Sequence, residues 1–513
     1  MCDFFLLFLN YNNIILVVFK EGGRMQATIN SKKLGRREAI LNGNLWKVTL
    51  MVSLPILLYN LCNYMYGIFD MMVVQSANIG DAADIVVLDQ IKNMISTLGG
   101  ALATGGGILV SRRYGENRIS DARRCANCLF SIALIVAGLT LLFIPVGVPF
   151  LKLLQTDQST IDNAMGYYYV QIAILSITTI NNTFIALEKS KGNTLKLFIL
   201  NFGVIFIKVS LSSLFAFGPF ENVTVTWLAV ATLCAQSFLF IAGLLFLFLP
   251  GNVLRITFKE LNFNKSDSLT ILKLALPVFI GRFLFSFGKV YINSVATSVY
   301  GKKCVGALGI SNTMAGLLTN MINSFEDGGS TIVSQNYGNA NGRRIKKFFF
   351  VNLVYLISMA TIGMLICFVL KENIAKFFAP RDAEYQKMIV NIFKWECLDI
   401  IFTGVQAVGL SIFYGFGKTK ITMALSMSQL FAFRIPTLLI CIYWIKMNYE
   451  ACGVAMFMSN MLTGSLAFIS AFIFIIKMPK MNKYINLFES KETNLVTKCL
   501  LALCYKICFF RLK

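Results

Sequence analysis

Ionisable side chains inside apolar stretches are the residues of this chain whose types and positions point most directly to chemistry. A charge near the centre of a membrane helix costs roughly 2.5–3.5 kcal/mol, so such residues are candidate sites for ions or polar solutes. The candidates are four acids and three bases: Asp70, Asp399, Glu326, Asp327, Lys208, Lys289 and Arg434. Together they indicate binding of an ion or a charged solute at membrane depth.

Asp70 is the strongest candidate for coupling to a cation. A carboxylate in a cavity of low dielectric can exchange a proton, or it can bind sodium together with hydroxyl and amide oxygens. Tyr66, Asn63 and Asn60 precede it by about one to three helical turns and supply such oxygens. A static buried ion pair is the alternative for this residue.

Two adjacent acids, Glu326 and Asp327, come directly before the pair Gly328-Gly329. One interpretation places them at the mouth of a cavity, where they attract cations. The other makes them part of a hydrogen-bonded kink in the helix. Glu188, beside Lys189, is expected to be an interfacial charge and not a site.

The elements that must hold these side chains are membrane helices, because the composition is that of a lipid-embedded protein. Of 513 residues, 56% are hydrophobic and 14% are charged, against about 25% charged in soluble domains. Histidine is absent from the sequence, which argues against membrane enzymes built on histidine clusters. The one Cys-x-x-Cys pair, Cys125 and Cys128, lacks a second pair for a zinc site. We therefore expect no metal centre and no cofactor, and we assign the net charge of +22 to cytoplasmic loops and membrane lipid, not to nucleic acid.

A short signature occurs twice. Residues 105–124 and 328–347 align without a gap and share Gly-Gly, Val-Ser, Tyr-Gly and a basic pair, Arg123-Arg124 in the first copy and Lys346-Lys347 in the second. The repeat is far too long for a solenoid unit. It predicts a duplicated membrane domain, with two lobes related by a pseudo-two-fold axis along the membrane normal.

Hydropathy predicts an all-α polytopic membrane protein with about twelve transmembrane helices in two pseudo-symmetric six-helix lobes. The domains are residues 1–47 as an N-terminal segment, 48–250 as the N-lobe, 251–270 as a linker, 271–476 as the C-lobe, and 477–513 as a basic amphipathic tail. Met25 is an alternative start. The predicted spans are 48–74, 85–110, 125–148, 164–187, 195–217, 227–250, 271–299, 305–333, 348–370, 389–415, 421–444 and 451–476.

Lysine and arginine gather in alternate loops, which by the positive-inside rule places both termini and the two signature loops in the cytoplasm. The protein is therefore expected to be a multi-pass protein of the plasma membrane. We also expect the protein to be a monomer.

In these features the chain resembles the multidrug and toxic compound extrusion (MATE) family, over roughly residues 45–476. The first span has a proline followed by an aspartate, and the duplicated signature resembles the glycine-rich end of the family's second span. The segment GFGKTKITMALSMSQLFAFRIP, residues 415–436, resembles a family loop leading into Arg-x-Pro, and KGNTLK, residues 191–196, is its first-half partner. The other residues that carry the resemblance are Pro55 and Asp70, and, for the DinF-like branch, Pro277, Arg282 and Asn293.

The resemblance implies a MATE-like fold, with two lobes around a central cavity that opens to either side in turn. Its coupling residues are only partly present. Where the DinF-like branch has Asn and Asp in span five, this chain has Lys208 and Ser212. Where the other branch has acids in spans seven and ten, it has Phe285 and Thr403, although Asp399 lies one turn away. Lys208 then pairs with Asp70, or it indicates an anionic or zwitterionic substrate.

The predicted function is a proton- or sodium-coupled antiporter that exports small organic molecules. Asp70, Asn63 and Asp399 are the predicted cation-coupling residues, and the cavity is predicted to be lined by Lys208, Lys289, Asn293, Glu326, Asp327 and Arg434. The alternative is a flippase of a lipid-linked sugar, with the basic residues on pyrophosphate. A channel or a membrane enzyme is disfavoured because neither repeated pore loops nor a nucleophile–base motif is evident.

Overall fold

The computed structural model describes residues 35–76, 82–145, 158–218, 225–257, 263–380 and 382–478. For residues 66–76, 82–94, 158–164 and 225 it describes the backbone only. The predicted N-terminal segment before residue 35, part of the linker and nearly all of the C-terminal tail therefore lie outside the described residues. The domain bounds predicted above stay predictions.

Twelve long helices follow one another, after a short helix over residues 35–42. The first six are α1 Leu45–Ser76, α2 Ala82–Gly115, α3 Ile119–Leu141, α4 Gln158–Ser190, α5 Thr194–Phe217 and α6 Val225–Phe248. The second six are α7 Lys265–Tyr300, α8 Lys302–Gly338, α9 Gly342–Phe378, α10 Ala383–Gly415, α11 Thr419–Tyr443 and α12 Glu450–Lys477.

The predicted fold class is confirmed. Among the described residues, eleven helices are long and apolar enough to cross a bilayer. The remaining helix, α2, has 34 residues, well above the about 20 that a hydrocarbon core requires. No strand occurs in the described part of the chain, as expected where backbone groups must be satisfied within each segment.

The helix junctions follow from local sequence. Asn264 begins α7 by accepting hydrogen bonds from two backbone N–H groups. Asn341 and Asp382 begin α9 and α10 by accepting one such bond each. The turns before α5 and α11 each contain a glycine with positive φ, Gly192 at 75° and Gly417 at 69°. These two glycines belong to the paired loops that the sequence predicts to be related.

The two signature copies meet at one end of the bundle, which we call the signature end. A methyl group on Gly115 would strike the backbone of Gln335, and one on Gly338 would strike the backbone of Arg112. Arg112 and Gln335 occupy the same position of the repeat, so the contact is reciprocal, as in a two-fold interface. The requirement for glycine at these positions is therefore close backbone approach.

A second reciprocal contact lies further along the same helices. Gly105 of α2 packs against the backbone of Ala275 in α7, and Gly328 of α8 packs against Ser53 in α1. Each partner lies two residues before a proline within its helix, Pro277 or Pro55. The first helix of each half therefore packs against the other half.

In the hydrophobic cores, too, the first helix of each half packs with the opposite half. Val48, Val52 and Leu57 of α1 lie in the core formed mainly by α8–α12, whereas Ile271 of α7 lies in the core of α2–α6. The lobes thus cross over at the signature end. This crossing places residues of α2, α4, α7 and α8 around one cavity and leaves the centre of α7–α12 for a second polar site.

Candidate functional site

A hydrogen-bonded polar network lies in the second half of the protein, and Asn460 of α12 is at its centre. The Asn460 amide nitrogen donates to Oδ2 of Asp399 on α10, at 2.8 Å. Its carbonyl oxygen accepts hydrogen bonds from Arg434 Nη2 at 2.8 Å and from Gln429 Nε2 at 2.6 Å. One amide therefore connects an acid on α10 to a base on α11.

The guanidinium of Arg434 is held on two sides. Its Nε donates to the hydroxyl oxygen of Ser459 at 2.9 Å, and the side chain is only 4% exposed. Asp399 is 7% exposed. Two opposite charges thus share a buried site without a direct ion pair within the described residues.

A wide turn in α11 positions these groups. Residues Ser428–Arg434 form a π-helical segment within α11. Pro436 follows it and has no N–H for the carbonyl of Ala432, which breaks the regular ladder. Wide turns of this kind occur frequently at functional sites, and here Gln429 and Arg434 lie at its two ends.

Lys289 of α7 adds a second base. Its Nζ lies 5.2 Å from the centre of the Phe285 ring, and Cζ of Arg434 lies 5.4 Å from the same centre. A ring face attracts cations at these distances. Phe285 therefore contributes to the site as a shared face for two cations, at a position where the family resemblance led us to expect an acid.

Glu396 is a functional candidate that sequence reasoning missed. It lies one turn before Asp399 on α10 and is 2% exposed. The hydroxyl of Ser311 on α8 lies close to this carboxylate, but neither group makes a well-aligned hydrogen bond in the described part of the protein. The spacing of the two acids in the sequence Trp395-Glu-Cys-Leu-Asp399 was the available signal, since residues three apart share a helix face.

A buried carboxylate with a single hydroxyl nearby is incompletely satisfied, and it calls for a further ligand, a water molecule or a proton. The site of α7–α12 therefore combines two acids, two bases and several amides. Such a set can bind a cation at the acids, or a zwitterion across both charges. Asn293 follows Lys289 by one turn and is half-buried.

The predicted site in the first half is only partly visible. Asp70 lies within α1, but its side chain is outside the described residues. Asn63 lies beside the Tyr59 hydroxyl, and Lys208 of α5 is half-buried. On the same face of α1, Asn60 donates to the Ser324 hydroxyl at 2.8 Å and the Tyr64 hydroxyl to the Thr313 carbonyl at 2.5 Å. The predicted pairing of Lys208 with Asp70 stays a prediction.

Glu326 and Asp327 lie near the signature end and not in the network of Asn460. Asp327 forms an ion pair with Lys189 of α4, with 2.6 Å between Nζ and Oδ2. This pair connects the two lobes. Asp327 also lines an interlobe cavity of about 190 Å³.

Glu188 is not the interfacial charge expected from its neighbour Lys189. Its carboxylate is fully buried and accepts hydrogen bonds from Lys191 Nζ at 2.6 Å and Asn193 Nδ2 at 2.8 Å. Lys196 adds a third contact at 3.7 Å. The acid therefore fastens the loop 191–196 to the end of α4, which is a structural role.

Comparison with known proteins gives the same fold. The chain superposes with a TM-score of 0.80 on an outward-facing multidrug resistance MATE family transporter of the MOP superfamily, at 16% identity, covering 85% of this chain and 97% of that one. The values are the same for a MOP superfamily transporter from Pyrococcus furiosus that is described as having a binding pocket of reverse polarity. For a MATE structure in the straight conformation the TM-score is 0.79, with 16% identity and coverage of 85% and 98%.

A search of curated proteins found no match. The MatE family model, in contrast, matches residues 55–214 and 277–440, one stretch in each half and together more than half of the chain. The two matched stretches begin at Pro55 and Pro277, the prolines that follow the reciprocal interlobe contacts. With the duplicated lobes and the polytopic helical fold, this match shows that the chain is a multi-pass membrane protein that belongs to the MatE family of transporters.

Proposed function

We propose that this protein is a cation-coupled antiporter that exports small organic molecules by alternating access of its two lobes. The observation that carries the proposal is the buried acid pair, Glu396 and Asp399, within a network that also contains Arg434. A proton or a sodium ion that binds there changes the net charge of a buried site. Charge changes at membrane depth are costly, and they can drive a change of conformation.

Coupling in this proposal involves both halves. Asp70 and Asn63 in α1 bind the cation in the first half, with Lys208 as the nearby base. Asp399 serves in the second half, and Lys289, Asn293 and Arg434 contact the substrate. Glu396 joins them as a coupling acid. A transmembrane ion gradient supplies the energy, and no cofactor is required. The antiporter belongs to the DinF-like branch and works as a monomer. It lies in the plasma membrane with both termini in the cytoplasm.

The polarity of the second-half site argues against a lipid-linked sugar as substrate. A pyrophosphate cavity needs unopposed bases, whereas Lys289 and Arg434 lie in a site with two acids. A small organic cation or zwitterion fits this balance of charges better.

Transport of a fluorescent organic cation tests the proposal. Purified protein in liposomes is given an imposed proton gradient and then, separately, a sodium gradient. We expect export under one of the two gradients and a loss of export in Asp70→Asn and in Asp399→Asn, which keep side-chain shape but remove the charge. Export that persists without any gradient, or that is unchanged in both variants, would contradict coupling at these acids.

A further inference from the structure

We propose that the interlobe cavity near the signature end binds a small oxyanion, a carboxylate or a phosphate group, through the guanidinium of Arg282. The site is distinct from the network of Asn460 and from Asp70. It goes beyond the proposed transport function and does not depend on it.

The cavity lies between the lobes. Its walls are α2 and α4 of the first half and α7 and α8 of the second. Its volume is about 190 Å³, below the about 300–1,000 Å³ of pockets for drug-sized ligands. It therefore has room for an anionic head group or a small free anion, but not for a complete drug-sized molecule.

Three charged side chains line this cavity: Arg282 from α7, Lys189 from α4 and Asp327 from α8. Asp327 and Lys189 are paired at 2.6 Å. Arg282 lies within electrostatic range of Glu326 and Tyr414, but it forms neither a hydrogen bond nor an ion pair with the residues that the structure describes. The unmet charge of the lining is therefore positive, which favours an anion over a cation.

The guanidinium of Arg282 lies against Gly100 of α2, which has no side chain to crowd it. A methyl group at that position would lie 3.3 Å from Arg282 Nη1, so the side chain rests directly on the α2 backbone. A guanidinium presents several N–H donors in a planar fork that matches a carboxylate or a phosphate. The hydroxyls of Thr104, Ser330 and Thr331 also line the cavity, but each donates its proton to a carbonyl of its own helix, so the free donors are those of the bases.

Lys189 can assist without leaving its partner. An ammonium group has three donors, and Lys189 uses one of them on Asp327. An anion that contacts both bases would connect α4 of one lobe to α7 of the other. Binding would therefore favour the arrangement in which the signature end is closed.

Glu326 is the internal competitor for this anion. It precedes Asp327 on α8 and lies within electrostatic range of Arg282, although it is beyond ion-pair distance and does not line the cavity. When Glu326 is ionised, its negative charge weakens the attraction of Arg282 for an anion. Removing that charge should strengthen the binding of an anion and weaken the binding of a cation, so the direction of the effect distinguishes the two kinds of site.

The experiment measures binding of radiolabelled inorganic phosphate to purified protein in nanodiscs of phosphatidylcholine, with no ion gradient. We expect saturable binding that Arg282→Gln weakens by about tenfold or more, the equivalent of one charged hydrogen bond. Arg282→Lys should weaken it less, and Glu326→Gln should strengthen it when binding is measured at an alkaline pH, at which Glu326 of the unaltered protein is ionised. Arg118→Gln is the matched control, because Arg118 is an exposed loop residue with 61% of its side chain accessible.

A second arm identifies the source of the anion. In nanodiscs containing phosphatidylglycerol and no free phosphate, native mass spectrometry counts retained anionic lipids. Retention that Arg282→Gln abolishes would support the site with a lipid head group as its ligand. The proposal is overturned if neither probe binds, if Arg282→Gln and Arg282→Lys leave binding unchanged, or if Glu326→Gln weakens it.

Discussion

Asp399 and Arg434 carry opposite charges in one buried site, yet a single neutral amide, that of Asn460, connects them. A direct ion pair would fix both charges in place. Here each charge keeps a hydrogen bond while the acid retains a lone pair for another ligand. An acid held in this way can accept a cation without first breaking an ion pair.

Replacement of Asn460 by alanine should destabilise the protein. The change removes hydrogen bonds to Asp399, Arg434 and Gln429 at once, and each buried polar group left without a partner costs about 1–3 kcal/mol or more. A lower midpoint of thermal denaturation in detergent is the measurement. Ser465→Ala on the same helix is the control, because within the described part of the chain the Ser465 hydroxyl donates to the Met461 carbonyl of its own helix and to no other group. An equal loss in both variants would contradict the bridging role.

Glu396→Gln should leave the protein folded and reduce gradient-driven export. The substitution keeps the volume of the buried side chain and removes the charge that we assign to coupling. Rates of export from liposomes under the active gradient provide the readout. Glu384→Gln, an exposed acid on the same helix, should transport normally. Export at the normal rate by Glu396→Gln would remove this residue from the coupling site.

Gly338→Ala should disturb the contact between the lobes at the signature end. Its methyl group would strike the Arg112 backbone, which cannot move away as a flexible side chain can. We expect a lower denaturation midpoint and faster maleimide labelling of a cysteine placed at Ser111, which is 2% exposed in the closed arrangement; mass spectrometry localises the label.

Gly138→Ala is the matched control for that prediction. A methyl group at Gly138 meets nothing within 4 Å, so the change should stabilise α3 by about 0.5–1 kcal/mol through its gain in helix propensity. If Gly338→Ala and Gly138→Ala changed the denaturation midpoint in the same direction, the interlobe contact would have no special role.

The ion pair of Lys189 and Asp327 should contribute little to stability. The side chains are 23% and 44% exposed, so solvent screens the pair, and exposed pairs have coupling energies of about 0–1 kcal/mol. A double-mutant cycle with Lys189→Gln and Asp327→Asn, followed by denaturation, measures this energy. Strong coupling of about 3 kcal/mol or more would mean that the pair behaves as a buried one.

The helices could be predicted from the sequence, because hydropathy reports directly on what lipid requires. Their ends could not. The span predicted as 348–370 belongs to a helix that runs from Gly342 to Phe378, since a helix can continue beyond the apolar layer through polar residues. The glycine signature indicated the duplication, but only the structure shows that Gly115 and Gly338 are contact points.

The candidate site was predictable in part for a similar reason. A search for charges inside spans finds Lys289, Asp399 and Arg434, because each is costly in lipid. It cannot find Asn460, which is neutral and lies on another helix from the groups it connects. Glu396 was missed beside Asp399, although the two lie three residues apart and share a face of α10.

The reciprocal glycine contacts also bear on how a duplicated gene can diverge. Gly105 and Gly328 each fit against the opposite half, so a change in one copy affects the surface that the other copy provides. The residues just before them are free of that constraint: Ala103-Thr104 in one half corresponds to Glu326-Asp327 in the other. The duplication therefore allowed α8 to acquire two acids where the equivalent turn of α2 has none, so the two halves can differ in charge at corresponding positions.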